Sequence, residues 1–245
     1  INRTGITVTG LQYDLDYKIS PNFGLDVPME QISKGNGGSC VLSAYSSSVI
    51  NLSNHLTTSL GITAQYFTLN KNWTIEPRAA LKWTFNPKHA LALAYGLHSR
   101  RERLDYYFVE QEVNGKTESN RYLNFSKAHH FGLTYDWNIN SYMHLKVEPY
   151  YQYLFRIPVE ENSSFSIINH QSFYLERILK NRGSGVNYGI DITLEQYMKN
   201  GFYYMITASL FKSKYKAGDN IWRNTRLDKN YLLNILAGKE WMVGR

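Results

Sequence analysis

The stretch MHLKVEPYYQY, Met143 to Tyr153, alternates without a break. Met143, Leu145, Val147, Pro149, Tyr151 and Tyr153 share one side, against His144, Lys146, Glu148, Tyr150 and Gln152 on the other. Side chains of an extended chain point alternately to opposite faces, so this period of two predicts a strand with one apolar and one charged face. An ordinary soluble strand has roughly five or six residues, whereas a tilted strand crossing a bilayer needs ~9–11. The run is of the second length.

The same pattern recurs on both sides of it. Leu60, Ile62, Ala64 and Tyr66 oppose Ser59, Gly61, Thr63 and Gln65; Ile75, Pro77, Ala79, Leu81, Trp83 and Phe85 oppose Glu76, Arg78, Ala80, Lys82 and Thr84. Leu91, Leu93, Tyr95 and Leu97 form the next apolar row, in a strand expected to run on toward Tyr107, followed by Phe131, Leu133, Tyr135 and Trp137. Beyond the decisive stretch come Val186, Tyr188, Ile190, Ile192 and Leu194, then Phe202, Tyr204, Ile206, Ala208 and Leu210, then Tyr231, Leu233, Ile235 and Ala237. Weaker strands are expected near Leu11 to Ile19 and Val41 to Leu52. The runs Gly35-Asn36-Gly37-Gly38 and Gly183-Ser184-Gly185 read as flexible loop, since neither has the strand-to-helix setting of a phosphate loop.

Connections alternate as well. Short turns are expected at 51–54, 86–88, 138–140 and 199–201, and long loops at 110–121, 158–184 and 215–229, with 20–40 as another. Short turns at one end and long loops at the other are the rhythm of an outer-membrane barrel. Trp83, Phe85, Trp137, Tyr142, Tyr197 and Phe202 flank the short turns, where a ring that is apolar on its body and polar at its tip is most stable between hydrocarbon and water. The expected fold is therefore all-β: an antiparallel transmembrane β-barrel segment of about ten long strands, treated as one unit over residues 1–245.

Composition agrees. The chain has 245 residues, 20 of them tyrosine and 5 tryptophan, and its mean hydropathy is negative. A membrane barrel gives such a mean because only one face of each strand is apolar. The net charge of +7 is scattered rather than clustered among aromatics, which excludes a nucleic-acid partner. The single cysteine, Cys40, excludes a disulfide framework and a multi-cysteine metal site. His129-His130 are adjacent in a strand and point to opposite faces, so one ion cannot take both. No nucleophile–base or paired-carboxylate spacing is present from which to assign a catalytic residue, and no cofactor or metal is expected.

Several ordered motifs resemble the TonB-dependent outer-membrane receptors, in particular the group with an N-terminal carboxypeptidase-regulatory-like domain. Ser59 to Phe67 running into Ile75-Glu76-Pro77-Arg78 resembles a glycine-containing strand followed by a Glu-Pro-Arg strand. Val147 to Leu154 leading to Ile157-Pro158-Val159 resembles a late barrel strand and its outer loop, Gly183 to Ile190 the re-entry from it, and Asn230 to Trp241 a Leu-Ala-Gly-Lys-Glu-Trp strand. The resemblance implies a location in the bacterial outer membrane, and an outer-membrane receptor for energised uptake of a scarce nutrient such as a metal chelate, cobalamin-like cofactor or glycan. It also implies that the plug, the TonB-contacting segment and the final strands lie outside this chain, which has no leader at its start and lacks the terminal aromatic of a complete barrel. Partners would be outer-membrane lipid, the TonB system through that N-terminal part, and a ligand the sequence does not name. Ligand contacts would come from aromatics of the outer loops: Tyr106, Tyr107, Phe165, Phe173, Tyr174 and Trp222. Two alternatives are a small autonomous barrel enzyme and a soluble carbohydrate-binding β-sandwich, whose solvent side would then be the charged face.

Overall fold

A computed structural model describes residues 1–20, 28–113, 115–241 and 243–244. In chain order the strands are β1 (Asn2–Ile19), β2 (Glu30–Asn51), β3 (Leu56–Phe67), β4 (Asn72–Asn86), β5 (His89–Arg100), β6 (Glu110–Val113), β7 (Lys116–Ser119), β8 (Ser126–Asn140), β9 (Met143–Val159), β10 (Lys180–Lys199), β11 (Phe202–Lys216), β12 (Trp222–Asn224) and β13 (Tyr231–Lys239). All but β6 and β7 form one antiparallel sheet of 11 strands, whose order follows the chain; β11 pairs with β12 at its outer end and with β13 along the rest. Among the described residues β1 and β13 do not pair, so the sheet is open.

Local chemistry closes the short turns. The Asn86 side-chain oxygen accepts from the backbone N–H of Lys88 at 2.8 Å and of His89 at 3.0 Å, a side-chain turn that joins β4 to β5. Between β10 and β11, Asn200 and Gly201 both take positive φ, 53° and 76°, as the tight hairpin matched to strand twist requires.

Register converts the alternation into two continuous surfaces. One row of direct partners runs Trp83, Leu91, Tyr135, Val147, Ile192, Ala208 and Leu233. On the opposite face lie Asp136, Lys146, Thr193, Thr207 and Asn234. The first surface stays exposed at Leu60, Ile62, Leu81, Leu93, Phe131, Leu210 and Ile235. Contiguous exposed apolar area of this extent marks a surface that meets something other than water. Its lower edge is a chain of rings: Trp83 to Phe85 at 5.1 Å, Phe85 to His89 and His89 to Trp137 at 5.7 Å each. Tyr66, Trp73, Tyr95, Phe131, Tyr151 and Tyr188 mark the upper edge on the same face. From Trp73 to Trp83 along β4 the band is roughly 25 Å tall at a strand tilt near 40°.

Above that band the faces exchange roles. On β1, Ile6 and Val8 face outward, followed on the same side by Gly10, Gln12, Asp14, Asp16 and Lys18, while Leu11, Tyr13, Leu15 and Tyr17 turn to the inner side and pack against the core. That core, built on Phe67, Tyr107, Val109, Leu123, Phe125 and Ile157, sits at the long-loop end, where residues 101–113, 115–125 and 160–179 fold over the inner face.

Four expectations need correction. Gly35 to Gly38 is strand, paired with Tyr13 to Leu15 and Gln12 in β1; Gly35 leaves room for the Phe108 ring, whose Cδ1 would sit 2.5 Å from a Cβ there. Of the expected loop 20–40, residues 21–27 lie outside the described residues and 30–40 belong to β2. Gly183-Ser184-Gly185 is also strand, within β10, with Gly183 seated under Val159. The strand that ends at Arg100 does not continue to Tyr107, because Leu104–Phe108 coils into a 3-10 turn.

Candidate ligand-binding site

The loops that cap the inner face are tied to each other by polar side chains. Asn120, 1% exposed, donates from its amide to the Arg177 carbonyl at 2.8 Å and accepts from the Leu179 backbone N–H at 2.7 Å. Gln111 donates to the Glu176 carbonyl, and Asn181 accepts from the Asn124 N–H at 2.7 Å. A buried amide satisfied on both sides fixes one loop against the other, since leaving either group unpaired is costly.

This latch brings most of the expected loop aromatics together. Arg103 reaches Asp105 with two parallel bonds of 3.1 and 3.0 Å, a fork that holds its plane. The guanidinium lies 5.1 Å from the Tyr106 ring centre and 5.5 Å from that of Phe173. His170 stands edge-on to Tyr106 at 5.9 Å and to Phe165 at 5.4 Å, and Arg177 caps Phe165 at 4.8 Å. Tyr174 meets Tyr17 of β1 at 5.3 Å. A cleft of about 430 Å³ opens here, between Tyr13 and Tyr17 on one wall and Arg103, Asp105, Phe173 and Tyr174 on the other. That volume is in the range of small-molecule sites.

Burial sets the ionisation of the groups behind the cleft. It lowers the pKa of His170, with Arg103 and Arg177 adding to the effect, so the ring is held neutral; its Nε2 is buried without a hydrogen-bond partner among the described residues. Burial also raises Tyr106 above the usual phenol range and pushes Tyr107 up to about 12. Tyr107 is 1% exposed, accepts the Glu102 backbone N–H at 3.2 Å and packs edge-on against Phe67. It supports the cap from beneath, whereas Phe173 is exposed at the cleft rim. Trp222 stands apart: it is the direct partner of Lys216, on the outward side of β11. Arg103 and Arg177 were not anticipated. Their signal was present, one arginine beside each aromatic cluster, but only the folded loops show which rings they cover.

Below the cap the inner wall is polar and largely self-satisfied. Glu76, 2% exposed, accepts from Gln65 at 2.7 Å, from Arg78 at 3.0 Å and from Ser99. Lys146 pairs with Glu148 at 2.8 Å and His144 with Asp136 at 3.1 Å. The adjacent histidines point apart: His129 meets Tyr95 on the outward face, His130 meets His98 on the inner one.

No family model matches the chain, and no curated protein matches it. Solved structures do. The ferric-catecholate import receptor Fiu from E. coli K12 superposes with a TM-score of 0.69 at 9% identity, covering 96% of this chain and 38% of the receptor. The ferripyoverdine receptor of the outer membrane of Pseudomonas aeruginosa gives 0.61 at 9% identity, over 91% of this chain and 28% of the receptor. The FrpB iron transporter from Neisseria meningitidis gives 0.59 at 12% identity, over 89% and 34%. The chain thus spans well under half the length of the receptors it matches. At such identity the likeness concerns the course of the backbone, which is the property the register and the two surfaces also describe. The fold is that of part of the β-barrel of TonB-dependent outer-membrane receptors.

Proposed function

We propose that this chain is part of the barrel of an outer-membrane receptor that takes up a scarce nutrient, energised through TonB. One observation carries the reading: a single sheet has an apolar outward band edged by aromatic rings, a charged inner wall, and a loop cap holding an aromatic and guanidinium cleft. Charges such as Glu148 and Asp191 on the inner wall would be costly in a dry core and are natural beside water or a plug. The open sheet, and the small share of each receptor it covers, support a longer barrel, with the plug and TonB-contacting segment elsewhere in the same protein. The motifs at 59–67, 75–78 and 183–190 support the group with a carboxypeptidase-regulatory-like domain. The similar solved structures carry the names of transport receptors rather than enzymes, which favours a binding and transport role.

The cleft favours a planar or aromatic ligand, stacked on Phe173 beside the Arg103–Asp105 pair, with Tyr174 in the wall and Tyr106, Tyr107 and Phe165 supporting it from behind. Among metal chelate, cobalamin-like cofactor and glycan, an iron chelate fits that chemistry best. The test is growth of cells whose only iron source is a ferric catecholate, supplied through the full-length receptor. Arg103→Ala and Phe173→Ala should each weaken binding of that complex about tenfold while leaving the receptor in the outer membrane. Unchanged binding by both would remove the cleft as the site, and recovery of wild-type receptor in the soluble fraction would remove the transport reading.

A further inference from the structure

The outward face of β11 changes character along its length. Ile206, Ala208 and Leu210 are followed on the same side by Lys212, Lys214 and Lys216, with the pairing to β10 unbroken. Their partners are Tyr188, Val186 and Ser184, so the row begins level with an exposed ring of the upper aromatic edge and continues away from the apolar band. Alternate positions are about 6.7 Å apart, so the three ammonium groups spread over roughly 13 Å. Trp222 stands opposite Lys216, its ring centre 5.9 Å from the ammonium.

Little nearby charge answers this row. Lys212 has Asp228 at 3.7 Å and also meets Asn230. Glu161 of the neighbouring loop is taken by Lys180 and Arg182, at 2.6 Å each. Among the described residues no carboxylate lies within salt-bridge reach of Lys214 or Lys216. A single lysine at this height is explained by its ammonium reaching water. Three in register on one strand, beside a tryptophan at head-group level, make a surface of one sign where a membrane presents phosphate.

We infer that Lys212, Lys214 and Lys216, with Trp222, form a docking site on the outside of the barrel for the phosphorylated head group of a lipid in the outer leaflet. The inference rests on the outer-membrane reading above. The lysines supply point charges to the phosphate oxygens, and the indole, level with Lys216, lies against the head-group sugar, where an amphipathic ring is stable. The site lies on the opposite wall of the sheet from the ligand cleft, so the two can be disabled separately.

The experiment uses the full-length receptor in detergent, titrated with fluorescent lipid A carrying its two phosphates and with the same lipid dephosphorylated. Membrane fractionation establishes beforehand that the protein is in the outer membrane; its absence there would overturn both readings together. With the receptor in place, the phosphorylated lipid should bind more tightly, and each lysine removed should weaken it about fivefold. Lys214→Gln with Lys216→Gln should therefore lose about 25-fold, and Lys214→Arg with Lys216→Arg should retain binding, which separates charge from damage to the strand. Lys82→Gln, on the inner face, should change nothing. Equal affinity for the two lipids, or a glutamine pair that binds like the wild type, would overturn the docking site while leaving the transport reading intact.

Discussion

Leu93 offers the sharpest test of which face meets lipid. It is 58% exposed, and its direct partners are Leu81 and Leu133. Were that exposure to water, replacing it with arginine would change stability by no more than about 0.5 kcal/mol. The ring of His89, in the lower aromatic edge, is four residues away, about 13 Å along the strand or ~10 Å of depth at a 40° tilt. Leu93 thus lies near the middle of a band roughly 25 Å tall, where an arginine on the lipid face costs about 2–4 kcal/mol. Thr134 is the matched control. It lies beside Leu133, at the same depth, but faces inward and bonds Glu148 at 3.2 Å. Arginine there gains a carboxylate and water, so Thr134→Arg should stay within about 1 kcal/mol. The assay is guanidinium unfolding of the full-length protein in phospholipid vesicles, followed by tryptophan fluorescence. With a slope of about 2–6 kcal/mol/M, a 3 kcal/mol loss moves the midpoint down by about 0.5–1.5 M. A Leu93→Arg midpoint equal to that of Thr134→Arg would refute the assignment of faces.

Two further outcomes follow from groups away from the lipid. Glu76→Ala leaves Gln65, Ser99 and Arg78 without their shared acceptor and should cost about 2–3 kcal/mol in the same unfolding assay, less than for a fully buried pair because Arg78 is half-exposed. Removing Arg78 as well should return part of that loss. For His170 the folded pKa lies below 6.5, so the opened loop takes up a proton more readily than the closed one. Closure is therefore insensitive to pH above about 6.5 and weakens as pH falls through that value. Amide hydrogen exchange of residues 167–175, corrected for the slower intrinsic exchange at lower pH, should show less protection at pH 5.5 than at 7.5, and His170→Phe should abolish the difference; equal protection in the wild type would show that the ring is not held neutral.

Much of the sheet was readable because alternation is a property of neighbours in sequence. Met143 to Tyr153, Ile75 to Phe85 and Val186 to Leu194 all lie in strands with the expected faces. Glycine carries no such signal. Gly35 and Gly183 look like loop in sequence because they lack a side chain, yet that lack is what lets Phe108 and Val159 lie against the strand. The aromatic site was partly readable: Tyr106, Phe165, Phe173 and Tyr174 do come together, but through Asn120 and Gln111, which bridge loops far apart in sequence. Trp222 could not be placed, because its side depends on the register of β12 against β11 rather than on its own surroundings.

The exchange of faces along β1 has a mechanical consequence. Just below Gly10, at Ile6 and Val8, the strand is apolar outside, and above it the strand is polar outside and apolar inside. Lowering the barrel by two residues would draw Gln12 toward hydrocarbon, and raising it by two would lift Val8 into water. Both displacements, about 5 Å of depth each, are opposed. The strand therefore works as a depth gauge: the bilayer must thin or thicken to meet the protein, and the cleft stays at a set height above the membrane surface whatever the thickness of the lipid around it.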